Sequence, residues 1–468
     1  ETVKSIGENA FSGCSSITSS ITIPKGVTSI ESKTFYNCSS IKSITISEGV
    51  TSIGESAFYG CSSLKSLTIP EGVTSIGESA FYDCNYLTSI TIPEGVTNIG
   101  DNTFYNCRSL TSVTIPKGIT SIGNSAFYNC KYLTSIILPE EVTSIGDNAF
   151  YNCSYLTSIT IPEGLTSIGE QAFAYCTNLT TSIKIPDGVT NIGENTFYEC
   201  NSITSITLPK IMTSIGDKAF YGCKSLTSIT IPEGVTNIGD YTFNGCNSLT
   251  SITIPEGVTN IGDYTFQYCK SLTSVILPES LTSIGSSAFS GCSYLDSITI
   301  SEGVTSIGSS AFSNCYSLTS FTIPKGITII ENSTFSECQY LRSITISENV
   351  TNIYPSAFGN CKRLTSVTCL ASTPPTCVGT VFIETTLQDG VLRVLEASVE
   401  DYKAATVWKD FKTVEGLDAS VGIANVATDG TQTATEYYDL EGRQQEAMQR
   451  GLNVVRYKDG TTKKILVK

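Results

Sequence analysis

Histidine is absent from all 468 residues. No Ser-His-Asp or Cys-His dyad can therefore exist, and no zinc site can use imidazole. Positive charge is scarce: 28 Lys and Arg face 43 Asp and Glu, a formal net charge of −15 with a pI near 4.6. Such a balance leaves nothing to neutralise a run of phosphates, which argues against a nucleic-acid binder. No stretch approaches the roughly 20 consecutive apolar residues of a membrane-spanning helix. A basic leader with an apolar core is missing too, so no signal peptide is visible. The 18 cysteines are only about 4% of the chain, below the level that marks a disulfide scaffold.

What is present is a repeat. Sixteen cysteines stand at 14, 38, 61, 84, 107, 130, 153, 176, 200, 223, 246, 269, 292, 315, 338 and 361. Thirteen of the intervals are 23 residues and two are 24, the extra residues lying near Ser19-Ser20 and Thr180-Thr181. Each of these cysteines has a phenylalanine three residues earlier, from Phe11 to Phe358. One unit, Leu87 to Cys107, reads LTSITIPEGVTNIGDNTFYNC. Ile90 and Ile92 have strand spacing with both side chains inward, which leaves Ser89 and Thr91 outward. Pro93 ends the strand because it cannot donate to a ladder. Val96 to Ile99 is a second short extended stretch, and Gly100-Asp101 is expected to start a tight helical turn capped by Asp101.

A lone unit cannot bury its seven apolar groups, but stacked units can. Strands about 4.8 Å apart would make sixteen coils a rod on the order of 75 Å long. The expected fold is a repeat solenoid: a right-handed coil of about 16 stacked 23-residue units with one parallel β-sheet face. Units such as SLTSITIPEGVTNIGDYTFNGC (225–246) resemble the BspA-like class of leucine-rich repeats, found in surface proteins of gut and oral Bacteroidetes and of some protists. The resemblance covers residues 1–361. It implies adhesion to a host matrix or cell-surface protein, or to a glycan. It also implies an extracellular or outer-surface location, after removal of a signal peptide that this chain does not carry. TVKSIGENAF (2–11) matches the second half of a unit, so a processed or shortened chain with an uncapped first coil is expected.

Composition shifts after Cys361. Residues 362–416, with VTCLASTPPTC (367–377), VLRVL (391–395), a helix expected over 398–408 and Phe411, resemble the caps that close such solenoids. Val399, Tyr402, Trp408 and Phe411 carry that match, and Trp408 would plug the end of the core. A linker (417–435) precedes a β tail (436–468), where three strand-like runs suggest an antiparallel meander. Through Tyr438, Asp439, Leu440, Gly442, Arg443, Gly451, Asp459, Gly460 and Lys468, the tail is similar to C-terminal sorting segments of the type IX export system. A purely structural tail is the alternative.

The cysteine ladder reads as one small buried core position. Stacked Cβ atoms stay too far apart for disulfides along it. A disulfide between Cys369 and Cys377, in a loop off the ladder, stays open. The acidity belongs to the solenoid, with net −14 through Cys361 and −1 beyond it. One column, Glu71, Glu94, Glu163, Glu233 and Glu256, is interrupted by Lys25, Lys117, Lys210 and Lys325, which relieves repulsion between stacked carboxylates. Another, Glu78, Asp101, Asp147, Asp217, Asp240 and Asp263, sits at turn starts. Neither converges as a calcium site requires, so no metal and no cofactor is expected. Identical carboxylates in identical surroundings also argue against glycosidase chemistry, and no enzyme is expected.

The outward strand face is the candidate for function. It carries Ser89 and Thr91, Ser112 and Thr114, Ser158 and Thr160, Ser228 and Thr230, Ser251 and Thr253. Tyr86, Tyr132, Tyr155, Tyr294 and Tyr340 stand just before the strand. Tyrosine among small hydroxyl residues makes an adaptable recognition surface. The blander reading is a Ser/Thr ladder kept for strand propensity and solubility. A second tyrosine column (Tyr59, Tyr82, Tyr105, Tyr128, Tyr151) is expected to cover the coil's outer edge. A regular threonine face also raises ice binding, which the expected curvature of the sheet disfavours. Two function classes follow: a surface adhesion module, and a structural spacer or display rod.

Overall fold

A computed structural model of the chain describes residues 3–180 and 182–417, together with the backbone of strands Ala434–Tyr438, Gln444–Gln445, Gly451–Tyr457 and Thr462–Val467. It is a parallel β-solenoid. The S-I-T segment of a coil pairs with the same segment one coil on, as in Ser89↔Ser112, Ile90↔Val113 and Thr91↔Thr114, in a ladder divided into successive short sheets of two to five strands. Ile90 is buried while Ser89 and Thr91 are exposed, as the alternation requires. Among the described coils this ladder lacks a strand at residues 297–300, where Ile298 and Ile300 are only half-buried.

The second extended stretch forms a ladder of its own. Two-residue strands such as Ser121–Ile122, Ser144–Ile145 and Ser167–Ile168 stack in parallel register. The coil thus carries a second narrow sheet beside the expected one. The expected helical turn at Gly100-Asp101 is absent; two left-handed residues per arc replace it. In the preceding coil these are Ser79 (φ 55°) and Asp83 (φ 56°). Their N–H groups, with that of Phe81, donate to Asp101, Thr103 and Tyr105 of the next coil. The alternate N–H groups of Ala80, Tyr82 and Cys84 close turns within the same arc. A helix would keep every N–H inside one coil, whereas this arc ties each coil to its neighbour.

The glycine that opens most arcs (Glu31, Glu331 and Tyr354 stand there in the others) lets the coils approach. A Cβ on Gly123 would lie 2.6 Å from the backbone nitrogen of Asp101, so a side chain there would push the coils apart.

Inside, the phenylalanines stack in one unbroken column. From Phe11 to Phe358, and on to Phe382, neighbouring ring centroids are 5.2–5.8 Å apart with planes within 16° of parallel. This is the offset-stacked geometry that aromatic rings favour. The cysteines are free and, from Cys38 to Cys361, buried. Each also has a partner. Cys84 Sγ donates to the carbonyl of Phe58, one coil back, at 3.2 Å, and the same bond recurs at 2.9–3.3 Å along the column. That carbonyl also accepts the N–H of Cys61, so both its lone pairs are engaged.

The frame stops in sequence at Cys361, yet the sheet continues. Ser366–Cys369 pairs with Ser343–Ile346, and Val391–Leu395 and Thr413–Leu417 follow in parallel. Only Val399–Ala404 of the helix expected over 398–408 is α-helical. Ala405 turns extended and Val407 is left-handed (φ 74°), which ends it. Trp408 is fully buried, meets Phe382 edge-on at 6.1 Å and donates Nε1–H to the carbonyl of Pro375 at 2.9 Å. The last phenylalanine of the stack is thereby covered. Cys369 and Cys377 are both free thiols, and Tyr402 Oη donates to Cys369 Sγ at 3.1 Å.

The tail strands form one antiparallel sheet in which Ala434–Tyr438 lies between Gln444–Gln445 and Gly451–Tyr457, with Thr462–Val467 outside the latter. That makes four strands where three runs were read. The linker residues 418–433 and the sorting-segment residues Asp439, Leu440, Gly442, Arg443, Asp459, Gly460 and Lys468 lie outside the described residues.

Burial pushes the ladder thiols up, Cys38 to about 11 and Cys176, Cys315 and Cys361 to about 12. A thiol whose folded pKa is raised stabilises the fold below its unfolded pKa, and that stability is lost as pH rises through the folded value. The thermal midpoint should therefore stay level from about pH 6 to 8 and fall steeply above about pH 9, where unfolded thiols ionise. A midpoint unchanged to about pH 11, followed by circular dichroism, would contradict buried thiols along the axis.

Candidate interaction surface

The ten Ser and Thr residues expected on the outward strand face all lie on it. Ser158 is half-buried and the other nine are exposed. Their hydroxyls have no protein partner among the described residues. Neighbouring threonine columns behave differently. Thr111 Oγ1 donates to the carbonyl of Thr88 at 3.0 Å, and Thr157 repeats this on Thr134 at 3.0 Å. In the next column Thr120 and Thr143 donate one coil back at 3.3 and 3.2 Å. Those hydroxyls brace the ladder. The ten hydroxyls named in the Ser89 and Thr91 columns do not, so these groups are free to meet a ligand; elsewhere in the Ser89 column Ser182 meets Ser205 at 2.8 Å, Ser297 donates to Asp296 and Ser366 accepts from Arg393.

The five tyrosines are exposed but not gathered. Tyr132 and Tyr155, each 51% exposed, lie on adjacent coils with ring centroids 5.1 Å apart. Tyr86, Tyr294 and Tyr340 stand apart from that pair and from one another, with serine coils between them (Ser109, Ser317).

Two residues missed in the sequence belong to this face. Ile137 and Ile276 occupy outward positions where other coils have threonine, and they are 72% and 59% exposed. The signal was one letter, SII or SVI in place of SIT. Ile137 pairs with Thr160, so it shares its coil with Tyr132 and neighbours the coil of Tyr155. The two adjacent coils thus present an exposed β-branched side chain and a pair of exposed aromatic rings on one face.

Other columns serve the fold. Asp101 Oδ1 accepts the N–H of Asn124 in the next coil at 2.7 Å; Asp147, Asp217, Asp240 and Asp263 do the same at 2.6–2.9 Å. The capping role expected of Asp101 thus acts between coils rather than within one. Along the second tyrosine column Tyr36, Tyr59, Tyr82, Tyr105, Tyr128 and Tyr151 stack at 4.4–4.7 Å. Their rings are half-buried, and partial burial raises the phenol pKa of Tyr59, Tyr82, Tyr128 and Tyr151.

A family model for the BspA type leucine rich repeat region matches residues 1–108, 97–181, 179–273 and 259–374. The chain belongs to the BspA-type leucine-rich repeat family. A crystal structure of a leucine-rich repeat protein from Bacteroides ovatus is similar, with 29% identity, a TM-score of 0.52 and 89% of this chain and 88% of that one covered. A leucine rich cell surface protein from Faecalibacterium prausnitzii is 33% identical over 75% of this chain and 87% of its own, with a TM-score of 0.38. No curated protein matches significantly. Repeat proteins of this family are typically non-enzymatic scaffolds. No helix among the described residues is long and apolar enough to cross a membrane.

Replacing Ile137 with Thr should change stability by less than about 0.5 kcal/mol, because an exposed side chain holds no packing. A loss above about 1 kcal/mol in thermal or urea unfolding would mean that the side chain is held by the fold rather than offered to solvent.

Proposed function

We propose that this BspA-type chain is a non-enzymatic adhesion or interaction protein. It binds a host matrix or cell-surface protein, or a glycan, through the Ser/Thr/Tyr face of the outer strand ladder. The observation that carries this reading is the contrast between hydroxyl columns. Two brace the backbone, while the ten named hydroxyls of the Ser89 and Thr91 columns are unpartnered and, Ser158 apart, exposed on the face that also carries Tyr132, Ile137 and Tyr155. Extended repeat faces commonly present such surfaces to protein partners. On this reading the protein works outside the cell, in keeping with the cell-surface relative from Faecalibacterium prausnitzii. Its C-terminal strands then serve as the sorting segment that their sequence resembles.

A second reading is a spacer or display rod. It is supported by the near identity of the coils, which makes one stretch of the face much like the next.

The test is binding of the purified chain to a panel of host matrix proteins and a glycan array. The variant Y132S/Y155S should weaken the strongest interaction at least about tenfold, as loss of aromatic anchors does at recognition surfaces. Both rings are exposed, so the variant should melt with the parent. An empty panel, or full binding by the variant, would favour the spacer.

A further inference from the structure

Against the acidic coils, the end of the array is locally basic. Four arginines lie in the solenoid and its cap (residues 3–417), and three of them, Arg342, Arg363 and Arg393, lie in the last coils and the strand that follows. Arg393 pairs with Glu415 at 2.8 Å. Arg342 and Arg363 do not pair, and neither does the adjacent Lys362. These three cations line a shallow, open cleft of about 330 Å3, together with Thr365, Thr386 and a single acid, Asp389. None of the three makes an ion pair among the described residues. Arg342 stands where most coils have threonine, and Arg363 stands in the column of Tyr132 and Tyr340. The Arg363 guanidinium lies over the Tyr340 ring, 4.1 Å from its centroid, which holds the planar group in place with its N–H edge free. The Arg342 backbone is fixed as well, its carbonyl accepting the N–H groups of Thr365 and Ser366 at 3.1 and 3.0 Å.

We infer that this cleft is a binding site for a compact anionic sugar, a uronate or sulfated residue at the end of a glycan. A guanidinium fork matches the two oxygens of a carboxylate or sulfate. The cleft is at the small end of ligand pockets and suits about one sugar residue. Long polyanions fit less well. Screening confines the attraction of the cluster to roughly 8–10 Å at physiological ionic strength. A polymer extending along the rod would then meet the Glu and Asp columns. The site lies at the C-terminal end of the solenoid, away from the Tyr132–Tyr155 pair, and does not depend on that pair.

The intact chain would be titrated calorimetrically with a disaccharide ending in glucuronate, its sulfated counterpart and a neutral counterpart. The acidic sugars should bind at least about tenfold more tightly than the neutral one, and more weakly as salt rises. R342Q/R363Q should lose at least about tenfold in affinity, because both forks are removed. R342K/R363K, which keeps the charge, should lose less, while R108Q, at an exposed arginine outside the cleft, should bind as the parent does. All of these positions are exposed, and matching thermal melts would confirm the fold of each variant. Equal binding of acidic and neutral sugars, or full binding by R342Q/R363Q, would overturn the site. So would tighter binding of a poly-glutamate peptide or of single-stranded DNA than of the acidic disaccharide.

Discussion

The stack of phenylalanine rings along the axis sets the spacing that every other column obeys. Rings at 5.2–5.8 Å with nearly parallel planes permit one separation between coils, and the backbone ladders share it. Because each ring from Phe35 to Phe358 is fully buried between two copies of itself, replacing one with alanine would cost about 3–5 kcal/mol and disturb both neighbours. Any residue type held at one position of the 23-residue frame must then stack on its own kind.

That constraint explains the columns. Cysteine suits a position that is apolar and yet faces a carbonyl, because it is small and its thiol can donate. Aspartate and asparagine at the head of the arc would repel or idle if they faced only each other. Instead each side chain accepts the backbone N–H one coil on, so a column of like charge becomes a column of caps. The outward strand residues face solvent alone and escape the constraint. Variation that does not threaten the stack therefore collects there, as at Tyr132, Ile137, Ile276 and Arg363.

Much of this was legible from the residues. The Phe-Cys interval gave the coil and its buried position, and the Ile90–Ile92 spacing gave the outer strand and its exposed hydroxyls. The second ladder was less visible because two residues carry no periodicity. The arc was misread as helical because its left-handed residues are seldom glycine. Lys33, Ser79, Asn102 and Tyr241 all adopt φ near +55°, and the coil-to-coil bonds they permit hold them there. Nor could the roles of the threonine columns be separated by letter, since Thr88 and Thr91 differ only in whether a carbonyl lies within reach. The cationic cleft joins residues from two coils and the segment beyond them, and only the fold gathers these.

If coils are interchangeable elements on a common stack, the length of the frame matters more than the identity of any one coil. Deleting residues 202–224, one whole unit, should leave a folded rod with unchanged circular dichroism per residue and a single cooperative melt a few degrees lower. Deleting 202–212 instead would break the column and should unfold or aggregate the chain. If the whole-unit deletion also failed to fold, or the half-unit deletion folded as well as the parent, the coils would not be the equivalent, mutually stacked elements described above.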